Sequence, residues 1–256
     1  MNDPETQSYS NPDSYTRFFF NNIIENADLI HCISQHTRNQ LIEFFKIDPM
    51  RTFVAYNGVK KIEIPKTSES KPNFTQEPFF LTVSRIEPRK NLVRLIQAFK
   101  EICKLPEFEE HKLFIIGKNG WGFEYIYKKI KELELSGRVI TLGFVPESEL
   151  GLYYKNAHFY ICPSITEGFG LPVLEAMSFG TPVVSSIGGA LPEIAHSSTT
   201  FFDPHSVESM CSSIIEANLR RPQFNEGHIT EHALSFSPSS MCEQILSGIT
   251  PLSKNH

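Results

Sequence analysis

Two carboxylates, Glu167 and Glu175, stand with seven residues between them, and that interval opens with Gly168-Phe169-Gly170-Leu171 and runs on through Pro172. Proline suits the first position of a helix, because the N–H it lacks would have had no partner there. The two glycines therefore belong to a loop aimed at a helix N-terminus. Backbone N–H groups on a partial positive charge can hold an anion there, and glycine lets a ligand come close. A carboxylate beside a phosphate would be repelled, so the acids are suited to accept hydrogen bonds from the hydroxyls of a sugar or a ribose. The competing reading makes Glu175 a complement to the helix dipole and Glu167 a solvated loop residue.

A second set, Arg85, Pro88, Arg89 and Lys90, follows an apolar run that reads as a strand. Arginine through its planar fork and lysine as a point charge can clamp a diphosphate and neutralise the charge that builds on a departing nucleotide. A plain basic loop is the alternative, although cations at a helix start are mildly disfavoured by its dipole. Arg89 is read as a surface residue.

Positioning these groups requires strands that end at the loops and helices that follow. The runs 79–84, 113–116, 139–142, 157–161 and 183–185 read as strands, alternating with helical patterns at 91–102, 123–133, 147–155 and from Pro172 to about Gly180. Such alternation predicts an α/β fold, a Rossmann-like doubly wound parallel sheet covered on both faces, with ligands at the carboxyl ends of the strands. Upstream, 15–26 reads as a helix, 28–33 as a strand, Ser34 as the N-cap of a helix through Phe45, and 52–55 as a strand before the Asn57-Gly58 turn. Residues 1–14 read as disordered, and 60–78, rich in lysine, proline and serine, as a linker.

The string from Cys162 to Ser186, with seven residues between its acids and Gly-Phe-Gly at their start, closely resembles the signature of the retaining, nucleotide-sugar-dependent glycosyltransferases of the GT-B fold, the glycogen-synthase-like family. Val83-Ser-Arg-Ile-Glu-Pro-Arg-Lys-Asn91 resembles that family's diphosphate loop, with Ser84 where many relatives have glycine. The resemblance implies that Glu167 touches the donor sugar and Glu175 the nucleotide ribose. It implies that the loop Gly168, Phe169, Gly170 and Leu171 meets the diphosphate, with the amides of Gly170 and Leu171 as contacts, and that Arg85 and Lys90 bind the leaving group. It implies front-face transfer of a hexose from a nucleoside diphosphate sugar to a saccharide or lipid-linked acceptor, with no cofactor and no metal. Lys118 and Val145, after two further strands, would hold the base; packing serves equally well for Val145. Asn119-Gly120-Trp121 resembles a bacterial mannosyltransferase-like branch and leans the donor toward GDP-mannose.

The same resemblance divides the chain into a remnant of an N-terminal acceptor-side domain at 1–59, the linker at 60–78, a complete C-terminal GT-B domain for the nucleotide sugar at 79–225, and a helical segment at 226–256 that returns to the first part. Only the last third of the N-terminal domain would then be present, and a partner chain could complete it. The other readings are a non-catalytic or split-enzyme donor-binding subunit, and a nucleotide-sugar epimerase or sugar phosphorylase of the same fold.

Composition bounds the remainder. At 256 residues, 40% hydrophobic and 21% charged, the chain can bury a sizeable core. Its net charge of −5 gives no basic footprint for nucleic acid. No apolar run approaches the roughly 18 residues of a spanning helix, so a cytoplasmic protein, soluble or peripheral at the membrane, is expected. Cys32, Cys103, Cys162, Cys211 and Cys242 are scattered and read as reduced, mostly buried thiols. His228-Ile-Thr-Glu-His232 has the spacing of one class of zinc peptidases, but without a third ligand it reads as two solvated helix histidines. Gly188-Gly189 reads as a second close backbone approach or a plain turn.

Overall fold

The computed structural model describes residues 24–60, 62–64 and 77–250. The disorder expected at 1–14, most of the helix expected at 15–26 and most of the linker lie outside them; Ile24 to Asn26 are helical. In the amino-terminal segment β1 (Ile30–Cys32) and β2 (Thr52–Val54) form a parallel pair flanking α1 (Gln35–Phe45). Ser34 caps α1, its hydroxyl accepting from the Thr37 amide, as its side-chain chemistry dictates.

The main sheet holds β3 (Phe79–Val83), β4 (Lys112–Ile116), β5 (Val139–Gly143), β6 (Phe159–Cys162), β7 (Val183–Ser186) and β8 (Thr200–Phe202) in the order β5-β4-β3-β6-β7-β8. Every neighbouring pair is parallel. Successive strand residues point to opposite faces. Phe80, Leu113, Ile115, Phe159 and Ile161 join one core, and Phe79, Leu81, Phe114, Ile116, Tyr160 and Cys162 the other. Burial on both faces is why these strands read as continuous apolar runs rather than alternating ones.

One face is covered by α2 (Leu92–Ile102), α3 (Glu124–Glu132) and α7 (Val207–Arg220). The other is covered by α4 (Glu147–Asn156), α5 (Leu171–Ser178), α6 (Leu191–Ile194) and α8 (Glu226–Ser235). Within α2, Leu92, Leu95, Ile96, Phe99 and Ile102 are all buried, the spacing of one helical face. The chain winds outward from β3 to β5, then returns to the other side of β3 with β6 and winds outward again to β8. The loops that follow β3 and β6 therefore face each other across the point where the winding reverses, the crevice in which sheets of this kind take ligands.

The helical segment expected at 226–256 is described to residue 250. It breaks at Phe236–Ser237 into α8 and α9 (Pro238–Ile249), because a residue before proline is pushed out of the helical region and Ser237 caps the second helix. α9 packs against the amino-terminal segment. Gln244 Oε1 accepts from the Tyr56 amide at 2.9 Å, and a Cβ on Gly248 would meet the Phe53 ring at 2.2 Å.

Opposite the crevice, at the amino ends of β4 and β6, His111 Nε2 lies 3.3 Å from His158 Nδ1, and His158 Nε2 lies 3.0 Å from Asn218 Oδ1. His111 stacks on Phe80, and its Nδ1 is buried without a partner among the described residues. Burial pushes both imidazoles down to about 4, helped at His111 by His158 and Arg138, and at His158 by Arg221. The unfolded chain then binds more protons than the folded one between the ordinary value of 6.5 and about 4. The pair's contribution is complete above pH 6.5 and is lost as pH falls through that window. Urea unfolding between pH 7.5 and 4.5 should show stability falling with acidity, and His158→Gln should flatten that dependence; equal slopes for both proteins would exclude the pair as its source.

Candidate functional site

Glu167 follows β6 by five residues and Lys90 follows β3 by seven, and the two meet across the crevice. Lys90 Nζ lies 2.6 Å from Glu167 Oε1, and their side chains are 14% and 13% exposed. Ser164 Oγ donates to the same oxygen at 2.6 Å, and Arg89 Nη1 donates to Oε2 at 3.2 Å. Burial alone would raise the Glu167 carboxyl; Lys90, Ser164 and Arg89 outweigh it and hold the carboxyl below its ordinary range. An ionised carboxylate offers about four acceptor positions, and these three bonds leave about one for a ligand hydroxyl.

The surface reading of Arg89 is therefore corrected. A short 3-10 turn at Pro88–Lys90, closed by Asn91 in the left-handed region, turns Arg89 inward onto Glu167, Glu87 Oε1 and the Thr166 carbonyl. Arg85 stands apart, exposed, with its stem against Gly120. The loop that carries it is stitched to the Lys118–Gly120 loop by Ile86 N–H to the Lys118 carbonyl and Gly120 N–H to the Ile86 carbonyl. Ser84, noted in the sequence as a departure, has a buried hydroxyl with no partner among the described residues and lines the same crevice as Lys90 and Glu167.

Glu175 lies in the second turn of α5, beyond the turn where an acid best complements the dipole, so that alternative loses its geometric basis. The phenol of Tyr154, fully buried on α4, donates to its Oε2 at 2.7 Å. Burial raises the Glu175 carboxyl, and the Tyr154 bond works against that rise. Tyr160 on β6 lies between the two acids, its own phenol raised by burial and by the charges of Cys162, Glu167 and Glu175.

The loop between the acids is held by its backbone. Gly170, at φ 106°, is the N-cap of α5, and a Cβ there would come within 2.7 Å of Leu191. Helix α5 begins at Leu171, so Pro172 occupies its second position. Phe169 is buried, its ring packed near Tyr56 and Phe236, so only its main chain can face a ligand. The Gly168 carbonyl accepts from Ser34 Oγ, and the Glu167 carbonyl from the Ala190 amide. Gly189 makes the second close approach directly onto this loop, since a Cβ on it would lie 2.2 Å from the Glu167 carbonyl oxygen. Ser164, Tyr154 and Glu193 have no signature of their own in the sequence, and Ser34 shows there only as a helix cap; their contacts with this site are found only in the structure.

Lys118 is exposed, its ammonium 5.0 Å from the Phe144 ring centre, and Val145 packs against the inner core. Between Lys90, Glu167 and Tyr160 only about 10 Å³ is open, so a ligand must lie outside the ion pair rather than behind it. A larger cavity of about 220 Å³ lies beside Pro88, Tyr125 and Ile165, and neither acid lines it. His228 is exposed, but His232 is not simply solvated: its Nε2 lies 2.8 Å from the Ile194 carbonyl. No group of three metal-ligating side chains occurs among the described residues. All five cysteines are free, with Cys32 and Cys162 buried, Cys103 and Cys211 half-buried and Cys242 exposed; burial, ahead of the Glu167 charge, pushes the Cys162 thiol up to about 12.

The family model for glycosyl transferases group 1 matches residues 63–224. The O-antigen chain mannosyltransferase B of Escherichia coli is 28% identical over 200 residues, covering 76% of this chain and 52% of that protein. The serotype-specific mannosyltransferase WbdA of the same organism is 26% identical over 259 residues, covering 96% of this chain and 32% of that protein. The chain thus spans about half the length of the first relative and about a third of the second. Among solved structures, sucrose-phosphate synthase from Thermosynechococcus elongatus superposes with a TM-score of 0.82 at 21% identity, over 98% of this chain and 65% of that one. Anabaena HepE in complex with UDP and glucose gives 0.75 at 23% identity, over 91% and 66%. The fold is that of the GT-B glycosyltransferases.

The two cations on Glu167 differ in burial, which separates their effects. Lys90→Met should cost about 1.5–3 kcal/mol, the worth of a hydrogen bond to a buried charge. Arg89→Met, with its guanidinium 30% exposed, should cost under about 1 kcal/mol. Urea titration of both variants checks the ranking: equal costs would mean that burial does not separate the two, and a reversed order that Arg89 is the main partner.

Proposed function

The chain belongs to the glycosyl transferases group 1 family, and from that premise we propose that it moves a hexose from a nucleoside diphosphate sugar to a saccharide or lipid-linked acceptor, with retention of configuration, in polysaccharide biosynthesis. The observation that carries the reading is the meeting of Glu167 with Lys90 and Arg89 at the winding reversal, beside the glycine loop that opens α5. In the proposed mechanism Glu167 uses its remaining acceptor position on a hydroxyl of the donor sugar, and Glu175 accepts from the ribose. The diphosphate lies outside the ion pair, against the amides of Gly170 and Leu171, where Lys90 and Arg85 offset the charge that develops as the nucleotide leaves and the acceptor hydroxyl enters on the same face. Arg89 joins this group by holding the second oxygen of Glu167. Lys118 and Val145 line the place of the base. No metal or other cofactor is assigned a role.

The mannosyltransferase relatives favour mannose, hence GDP-mannose, as the donor. No helix among the described residues is long and apolar enough to cross a membrane, which suits a cytoplasmic donor; a lipid-linked acceptor would bring the protein to the membrane surface. The second reading is a non-catalytic donor-binding subunit that acts with a partner chain, in which the same site would bind the donor without turning it over. Turnover of GDP-mannose by the purified chain separates the two readings.

Each carboxylate–hydroxyl bond should contribute about 1.5–3 kcal/mol, a change of roughly ten- to a hundredfold in affinity. Calorimetric titration with GDP-mannose should show that loss for Glu167→Ala and for Glu175→Ala. An unchanged dissociation constant would remove that acid from the donor site.

A further inference from the structure

The donor loop is also held from outside its own domain. The Gly168 carbonyl accepts from Ser34 Oγ at 2.7 Å and from Thr37 Oγ1 at 3.2 Å. Ser34 is fully buried, and its oxygen at the same time caps α1 by accepting from the Thr37 amide at 3.0 Å. The first two amides of α1 turn to a carboxylate of the sheet domain: Gln35 N donates to Glu193 Oε2 at 2.8 Å and His36 N to Oε1 at 2.6 Å. The Tyr56 phenol lies 3.4 Å from Oε2. Glu193 rides on α6, three residues after Ala190, whose amide donates to the Glu167 carbonyl at 2.9 Å. Two consecutive carbonyls of the loop are thus fixed, Glu167 from α6 and Gly168 from α1, and Glu193 ties these two anchors together.

The geometry of the peptide group gives that arrangement a consequence. In a trans peptide C=O and N–H point in opposite directions, so drawing the Gly168 carbonyl toward α1 turns the Phe169 amide away from it. Gly170 then passes the chain into α5. Glu193 strengthens the hold, because a carboxylate bridging two helix-start amides makes charge-assisted bonds at the positive end of α1. We infer that Ser34 and Glu193 are positioning residues for the donor loop, setting the orientation of the amides at 169–171 from the amino-terminal segment. The geometry stands by itself; its consequence for the donor rests on the function proposed above. A contact that merely docked the segment would change stability and leave the loop as it is.

Amide hydrogen exchange of peptides spanning 163–174 separates the two roles, with peptides from β3 and β4 as internal reference. In Ser34→Ala and in Glu193→Ala the amides at 169–171 should exchange about fivefold faster or more, with the reference peptides within about twofold of wild type. Glu193→Gln, which keeps one acceptor oxygen, should fall between. In parallel, the dissociation constant for GDP-mannose or GDP should rise about tenfold in the alanine variants. Loop exchange within about twofold of wild type in both alanine variants overturns the inference, as does an equal acceleration of the reference peptides. A wild-type protein that binds neither nucleotide removes the donor reading, while the exchange data still decide this one.

Discussion

A carboxylate with 13% of its side chain exposed cannot keep its charge without partners, and the whole arrangement at the winding reversal follows from that constraint. Glu167 needs donors on both oxygens. Ser164 comes from its own loop, but Lys90 and Arg89 lie 77 and 78 residues earlier in the chain. Only the adjacency of β3 and β6 brings those loops together, and that adjacency exists because the chain returns to β3 after completing β5. The strand order is thus the means by which two charged loops distant in sequence neutralise each other.

The parts of this arrangement legible in the sequence are those with a local cause. Strands buried on both faces leave unbroken apolar runs, and Leu92, Leu95, Ile96 and Phe99 repeat at helical spacing, so five of the six strands of the main sheet and helices α2 to α5 are legible to within a residue or two. The acids showed themselves through the glycines and proline between them. β8, α6 and α7 carry weaker patterns and are not legible in the sequence. Which two of the three cations meet Glu167 was not legible either: Arg85, Arg89 and Lys90 all carry a positive charge in one loop, and the choice is made by a single 3-10 turn ending at Asn91, φ 56°. The Tyr154–Glu175 and Glu193–α1 contacts join residues 21 and up to 158 positions apart, and nothing local to either partner announces the other.

The charge count revises the simplest picture of the crevice. Lys90 and Arg89 are matched by Glu167 and Glu87, so this cluster sums to zero and is not an open positive hole. Under the proposed function, attraction for a diphosphate would come from the exposed Arg85 and the start of α5, whereas the buried pair chiefly fixes where Glu167 stands. Lys90 is then a support for the acid as much as a binder of phosphate, and the two roles are compatible because an ammonium carries three donors.

The two acids also keep their charges by different means, which fits them to different partners. Glu167 is compensated by cations and falls below the usual carboxylate range, with most of its acceptor positions filled. Glu175 is met by a neutral phenol and lies above that range. A hydroxyl donated to Glu175 meets a less compensated carboxylate and therefore adds more to its stabilisation than the same hydroxyl adds at Glu167, where cations already supply most of the field. Under the proposed function, that argument would make Glu175 the larger contributor to donor binding and Glu167 the group that orients the sugar. The loop between them must then be rigid enough to keep the two at a fixed separation, and clamping of its Glu167 and Gly168 carbonyls from two sides meets that requirement.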